Sequence, residues 1–300
     1  MRVLRSIGII VGILAGLIVI AVAAIYVVSI IRLNKTYQVN VEQIAIPGDA
    51  ASIERGRHLA TTIGQCNDCH GNNLAGKVFL DAPGIALLSS ANLTSGEGGV
   101  GRTFSDADWV RALRHGVGPN GKSLLAMPSQ NYSALSEQDL GALIAYVKSV
   151  PPIDHVPPPS EVRPLGRALF VAGQIDALPA ERIDQDAPPQ VPPPMGATPE
   201  YGHYLVRVGG CADCHGASLS GGPVPGAPDA PPAVNITPSG AISGWSDADF
   251  VKAMRTGINP AGHQIAPFMP WKYIGKLTDD ELRAIFLYLR TVPARPTGAQ

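Results

Sequence analysis

Only four of the 300 residues are cysteine, aromatics make up 6%, and acidic and basic side chains nearly cancel to a formal charge of −1. A near-neutral chain has no electrostatic footprint for a polyanion, which argues against nucleic acid as a partner. Alternating runs rich in Val, Ile and Thr are scarce beyond the N-terminus, which argues against a sheet as the framework. What the chain has in quantity is Gly (33) and Pro (28), with 45% hydrophobic residues, enough for two small cores. Short helices joined by long ordered loops are the expectation.

One long apolar run is present. No charge occurs between Arg5 and Arg32, and as a helix rising about 1.5 Å per residue this run exceeds the roughly 30 Å of hydrocarbon in a bilayer. Tyr26, near its far end, suits an interfacial anchor. Ala21-Val22-Ala23 also fits a signal-peptide cleavage site, but the apolar run continues through Ile25 to Ile31, where such a site needs polar residues. The reading is an uncleaved transmembrane anchor over 6–31, with Arg on both flanks orienting it only weakly. The rest is polar enough to be an aqueous body, and the tail ARPTGAQ carries no second anchor.

That body is a tandem repeat. GQCNDCHGNNLAGK (64–77) answers GGCADCHGASLSGG (209–222), ANLT (91–94) answers VNIT (234–237), and FSDADWVRALRHGV (104–117) answers WSDADFVKAMRTGI (245–258). LSEQDLGALIAYVKSVP (135–151) then answers LTDDELRAIFLYLRTVP (277–293) in the same order. Two copies of one domain of about a hundred residues follow, over 50–151 and 199–294. Between them, 152–198 is crowded with proline and reads as a semi-rigid spacer. Within it, LGRALFVAGQ (165–174) can form a short helix packed on a domain or lying on the membrane surface.

Caps place the helices. Ser105 and Ser246 open SDAD segments, and Ser136 and Thr278 open the last helix of each copy with S-x-x-D and T-x-x-E, a capping-box pattern. Leu140, Leu143, Ile144 and Val147, like Leu282, Ile285, Phe286 and Leu289, fall on one helical face and are expected in the cores. Gly56 and Gly202, inside an earlier helix, predict a close approach by another element, with Tyr146 and Tyr288 as candidates.

All four cysteines lie in Cys66-Asn67-Asp68-Cys69-His70 and Cys211-Ala212-Asp213-Cys214-His215. Two thiols three positions apart can each add to a haem vinyl group while the adjoining imidazole turns to the iron, so the spacing reads as c-type haem attachment. A structural zinc would need four ligands where each copy offers three, and a redox dithiol has no use for the histidine. A sixth ligand is needed next. Met127 in AMPSQ and Met269 in FMPWK each stand eight residues before the matched leucines 135 and 277, which marks them as axial ligands. Met254 aligns with Leu113 and reads as core, whereas Met195 lies in the spacer.

This wording, CHG, then NLT or NIT, then SDAD, then MP, then a capped terminal helix, resembles the class I c-type cytochrome domain. The tandem is similar to cytochrome c subunits of bacterial membrane-bound dehydrogenases, although those commonly carry three haem domains and a membrane segment at the other end. The resemblance implies an all-α fold: two tandem class I cytochrome c domains after an N-terminal transmembrane helix. It implies two covalently bound haem c, with Cys66, Cys69, Cys211 and Cys214 as thioether attachments, His70 and His215 as proximal ligands, and Met127 and Met269 as distal ligands.

Several expectations concern the surroundings. Asn92-Leu93-Thr94 and Asn235-Ile236-Thr237 match glycosylation sequons but read as a shared loop, with a haem propionate as a partner. Carbonyls near Pro83 and Pro228 are candidates to orient the ligand imidazoles. His58, His115, His155, His203 and His263 have no matched partners and read as solvent-facing. The resulting function is an electron carrier with no catalytic residues, six-coordinate at both irons. It relays electrons on the periplasmic side of a bacterial inner membrane, from a quinol-oxidising complex or dehydrogenase to an oxidase or soluble cytochrome. The alternative is a haem enzyme, such as a dihaem peroxidase or thiosulfate-oxidising cytochrome.

Overall fold

The uncharged N-terminal run forms one continuous helix, α1 (Arg2–Leu33), whose side chains are exposed almost throughout, Ser29 being its buried residue. A computed structural model describes residues 2–188, 191–227 and 229–299 of the chain. The first repeat folds as α2 (Ala50–Thr61), α3 (Cys66–His70), α4 (Asp106–His115), α5 (Ser129–Tyr132) and α6 (Glu137–Ser149). The second gives α8 (Pro199–Val208), α9 (Cys211–His215), α10 (Asp247–Thr256), α11 (Trp271–Ile274) and α12 (Asp279–Thr291). Between the two lies α7 (Pro164–Val171).

The caps act as the sequence implies. Ser105, Ser246 and Thr278 each close a reciprocal capping box. Ser136 also accepts from the Asp139 amide, but the Asp139 carboxylate does not return to the cap, because Arg55 and Tyr204 take it. The amphipathic faces of α6 and α12 are buried as expected. Gly56 of α2 lies on α6 and Gly202 of α8 on α12 so closely that a Cβ would collide with the carbonyl oxygens of Ala142 and Ala284. The Cβ atoms of Tyr146 and Tyr288 close the same contacts from the side, so backbone more than ring demands the glycine.

Three features depart from the sequence reading. The fold is mostly helical but not purely so, since β1 (Val78–Ala82) and β2 (Ala86–Ser89) form an antiparallel hairpin around Pro83-Gly84, which β3 (Glu161–Val162) extends by pairing with β2. The proline-rich segment does not hold the domains apart. It wraps domain 1, adding β3 and placing Pro179 against Gly116, while α7 packs on the turn before β2, as expected of a helix seated on a domain. Nor are the cores separate, for Leu59, Leu140 and Ile144 of one repeat and Leu205, Leu282 and Ile285 of the other belong to a single apolar cluster.

The seam between domains is polar and pairs matched positions. Arg55 aligns with Tyr201, His58 with Tyr204, and Asp139 with Glu281. Arg55 donates to both oxygens of Asp139 (2.8 and 2.9 Å), to Glu281 (3.1 Å) and to Tyr201 (3.0 Å). His58 meets Glu281 at 2.7 Å, and in the mirrored contact the Tyr204 hydroxyl donates to Asp139 at 2.7 Å. Every buried charge here has a partner, the condition under which ionic groups survive away from water.

Candidate haem-binding sites

Each attachment segment begins with a left-handed residue, Gln65 (φ 50°) or Gly210 (φ 64°), that turns the chain into the short helix carrying both cysteines and the histidine. Among the described residues the non-glycine positions with positive φ are Gln65, Leu74, Ala126 and Leu219. All four flank the predicted ligands: Leu74 and Leu219 stand four residues after His70 and His215, and Ala126 directly precedes Met127. Such backbone is costly and persists where surrounding structure over-determines it, as at functional sites.

The cysteines are unpaired. Burial pushes the Cys66 and Cys211 thiols up to about 12, aided by the neighbouring Cys69 and Cys214. Cys69 and Cys214 are raised too, chiefly by burial. A catalytic dithiol needs the opposite, a thiol with a depressed pKa, so the redox reading does not fit this environment. Among the described residues no three or more His, Cys, Asp or Glu side chains converge as a metal cluster.

Both candidate ligand histidines are oriented alike. His70 Nδ1 lies 2.8 Å from the Ala91 carbonyl oxygen, and His215 Nδ1 lies 2.8 Å from that of Val234. A carbonyl only accepts, so Nδ1 carries the proton and Nε2 keeps its lone pair for a metal. Burial, outweighing these bonds, holds both imidazoles below their ordinary pKa, which favours the neutral ligating form. The orienting carbonyls thus belong to the residues before Asn92 and Asn235, not to Pro83, which makes the hairpin turn; Pro228 lies outside the described residues.

The sequon-like triplets hold those carbonyls in place. Asn92 is fully buried; its Oδ1 accepts from the amide and hydroxyl of Thr94 (3.0 and 2.9 Å), and its Nδ2 donates to the carbonyls of Ile153 and His155. Asn235 repeats the turn with Thr237 and donates to the Arg295 carbonyl at 2.7 Å. Buried and bonded to backbone, these asparagines anchor the shared turn and offer no exposed amide for a glycan.

The methionine loops also match. Met127 and Met269 are half-buried against the core, each followed by a proline that opens α5 or α11. Met254 is buried in α10 and Met195 is exposed, as the alignment indicates. The histidine expectation fails in part: His115 is buried between Glu42 and Gln185, and His58 lies in the interdomain seam, whereas His155 is exposed as expected although its Nδ1 bonds the Ala75 carbonyl. His203 stacks on Tyr288, while His263 is exposed. Sequence reasoning also missed Tyr132, whose buried hydroxyl donates to the Gly64 carbonyl at 2.6 Å and ties the Met127 loop to the turn before Cys66.

Across the seam, each attachment helix touches the other domain's methionine-loop helix. The Tyr273 hydroxyl donates to Asp68 at 3.1 Å, and Asn131 Nδ2 donates to Asp213 at 2.7 Å. Tyr273 and Asn131 each stand four residues beyond the methionine, and Asp68 and Asp213 hold the same place between the cysteines.

The donor set fits c-type haem: adjacent unpaired thiols, an imidazole with one nitrogen reserved, and a thioether on a constrained loop. Comparison with known proteins agrees. Residues 51–147 match the family model for subunit III of cbb3-type cytochrome c oxidase, and residues 200–293 match that for cytochrome c. The cytochrome c subunit of a quinone alcohol dehydrogenase from Gluconacetobacter polyoxogenes is 30% identical over 284 residues, covering 83% of this chain and 57% of that protein. The cytochrome subunit of fructose dehydrogenase from Gluconobacter japonicus is 30% identical over 83% of this chain and 54% of its own length. A dihaem c-type cytochrome from Cereibacter sphaeroides is 30% identical over 65% of this chain and 67% of its own length. The chain thus spans little more than half of the dehydrogenase subunits it matches. It belongs to the cytochrome c family and is an electron carrier with two covalently bound haem c groups.

Proposed function

We propose that this chain is a membrane-anchored relay on the periplasmic face of a bacterial inner membrane, passing electrons from a dehydrogenase or quinol-oxidising complex to an oxidase or soluble cytochrome. In this reading Cys66, Cys69, Cys211 and Cys214 would hold the haems as thioethers, His70 and His215 would bind iron through Nε2, and Met127 and Met269 would supply the second iron ligands. The haem supplies a one-electron iron couple, whose potential a His and Met ligand pair raises. The protein's part is to fix both ligands and leave no vacant position. Ala91 and Val234 hold the imidazoles, while Ala126, Pro128 and Pro270 constrain the thioether loops.

The observation that carries a relay is the crossed seating of the domains. Asp68 to Tyr273 and Asp213 to Asn131 tie each attachment helix to the other domain's ligand loop, so the two centres are held together instead of swinging on a linker. The dehydrogenase donor is supported by the names of the relatives, and the anchor by α1. The test is a reductive titration of the purified chain, after which the reduced protein is mixed with hydrogen peroxide and the oxidised protein with thiosulfate. Uptake of two electrons per chain without turnover of either compound is expected. Catalytic turnover would replace the relay with a haem enzyme.

A further inference from the structure

The outer end of α1 is built into the body of the protein. Tyr26, Ser29 and Arg32 lie on one helical face, and α7 packs along it. Arg167 donates to the Ser29 hydroxyl at 2.9 Å with its guanidinium 5.3 Å from the Tyr26 ring centre. Arg32 sits 4.2 Å from the centre of the Phe170 ring and donates to the Phe170 carbonyl (3.2 Å) and to Glu181 (2.6 Å). Further out, the Tyr37 hydroxyl donates to Glu181 and Lys122 Nζ donates to Asn34, so the chain leaving the helix is fastened to domain 1.

This docking fixes the depth of α7. The uncharged run of α1 is roughly 39 Å long at 1.5 Å per residue, about 9 Å or nearly two turns longer than the hydrocarbon it would cross. With Arg5 at the inner headgroups, the surplus falls between Tyr26 and Arg32, the stretch that α7 covers. Gly166 of α7 lies against Ile85 beneath the hairpin, and Arg167 and Phe170 face α1. Leu165, bonded through its amide to the Gly84 carbonyl in the hairpin turn, is 52% exposed, and Leu169, one turn on, shares its face.

We propose that α7 and the β1–β2 turn form a second membrane contact, a lipid-facing surface at the outer headgroup layer with Leu165 entering the acyl boundary, which seats domain 1 on the bilayer and leaves domain 2 in water. The occupant is the lipid leaflet itself, because the surface is continuous with the helix that crosses it. An apolar side chain beside interfacial arginines is the composition that such a layer retains. The proposal rests on α1 being a retained anchor.

The test uses the full haem-loaded chain in nanodiscs of phosphatidylethanolamine and phosphatidylglycerol. Its own cysteines are consumed by haem, so a spin label goes only to an added one: Leu165→Cys, Leu287→Cys on α12 of domain 2, or Leu17→Cys within α1. Relaxation by lipid-soluble oxygen is compared with relaxation by a water-soluble nickel chelate. Labels at 17 and 165 should favour oxygen several-fold, and the label at 287 should favour the chelate. A label at 165 as open to the chelate as that at 287, with 17 still at hydrocarbon depth, overturns the surface contact and spares the anchor. Absence of residue 17 from the mature chain overturns the anchor reading instead.

Discussion

The two domains share helices, caps and the placement of the candidate ligands, yet several matched residues outside those sites differ in burial and partners. Arg114 in domain 1 is 7% exposed and donates to Glu42 and to the carbonyls of Ser133 and Leu135. Its counterpart Arg255 keeps the matched bond, to the Gly275 carbonyl, but is exposed and pairs with Asp279. His115 is buried against Glu42 and Gln185 where domain 2 has Thr256. Ala126, whose amide is bonded by the Ala177 carbonyl of the linker, is answered by Phe268, half exposed. Domain 1 is thus the built-in copy, covered on its methionine side by the segment after the anchor and by the linker, whereas domain 2 leaves that side open.

The comparison is broken most severely at the seam both copies share. Replacing Arg55 by Ala leaves Asp139 and Glu281 buried without their cation and should cost about 3–5 kcal/mol, the scale of breaking a buried ion pair. One cooperative thermal transition should then divide into two, each followed through its own haem. Tyr201→Phe, at the matched position but neutral, should leave a single transition.

Gly56→Ala and Gly202→Ala probe what the copies have in common. Each added methyl meets a carbonyl oxygen of the crossing helix, and overpacking of this kind should cost about 1–3 kcal/mol or more. Equal losses in denaturant unfolding are expected in the two domains; a tolerated change in either would show that its helix crossing is looser than its partner's.

A smaller, graded effect is expected with acid. Burial alone would raise the Glu281 carboxyl, but the bonds from His58 and the Thr278 amide, with the Arg55 charge, bring it from 4.5 to about 2. A depressed folded pKa means stability that is complete above about pH 4.5 and is lost as pH falls toward 2. Scattering measurements should show the domains separating across that window, and Glu281→Gln should flatten the dependence. The least effect belongs to Tyr273→Phe, which removes one partly exposed bond to Asp68 and should cost no more than about 1 kcal/mol, with both ligand pairs unchanged in their spectra.

The parts visible in the sequence were those repeated in it. Cys66 to His70, the SDAD caps, Gly56 with Gly202, and the separation of Met269 from Met254 all rest on local chemistry that two copies state twice. The hairpin was missed because its strands are short and largely exposed, with β3 brought from the linker, although Pro83-Gly84 between VFL and IALL is a turn signal. Ser136-x-x-Asp139 has the capping pattern, but tertiary partners from both domains outcompete the cap. For two of the unmatched histidines, the lack of a repeat partner marks contacts that are not repeated: His58 at the seam, and His115 under the wrapping segments. Proline-rich sequence fixed the linker's stiffness but not the surface along which it lies.

The central claim is that both irons are closed by methionine, and carbon monoxide binding to the fully reduced protein tests it most directly. With Met127 and Met269 both bound, neither haem should form a carbon monoxide complex rapidly, whereas Met127→Ala and Met269→Ala should each open one haem and lower its potential. Rapid binding at one haem of the unaltered protein would contradict the account and identify that domain as a site of chemistry instead of passage.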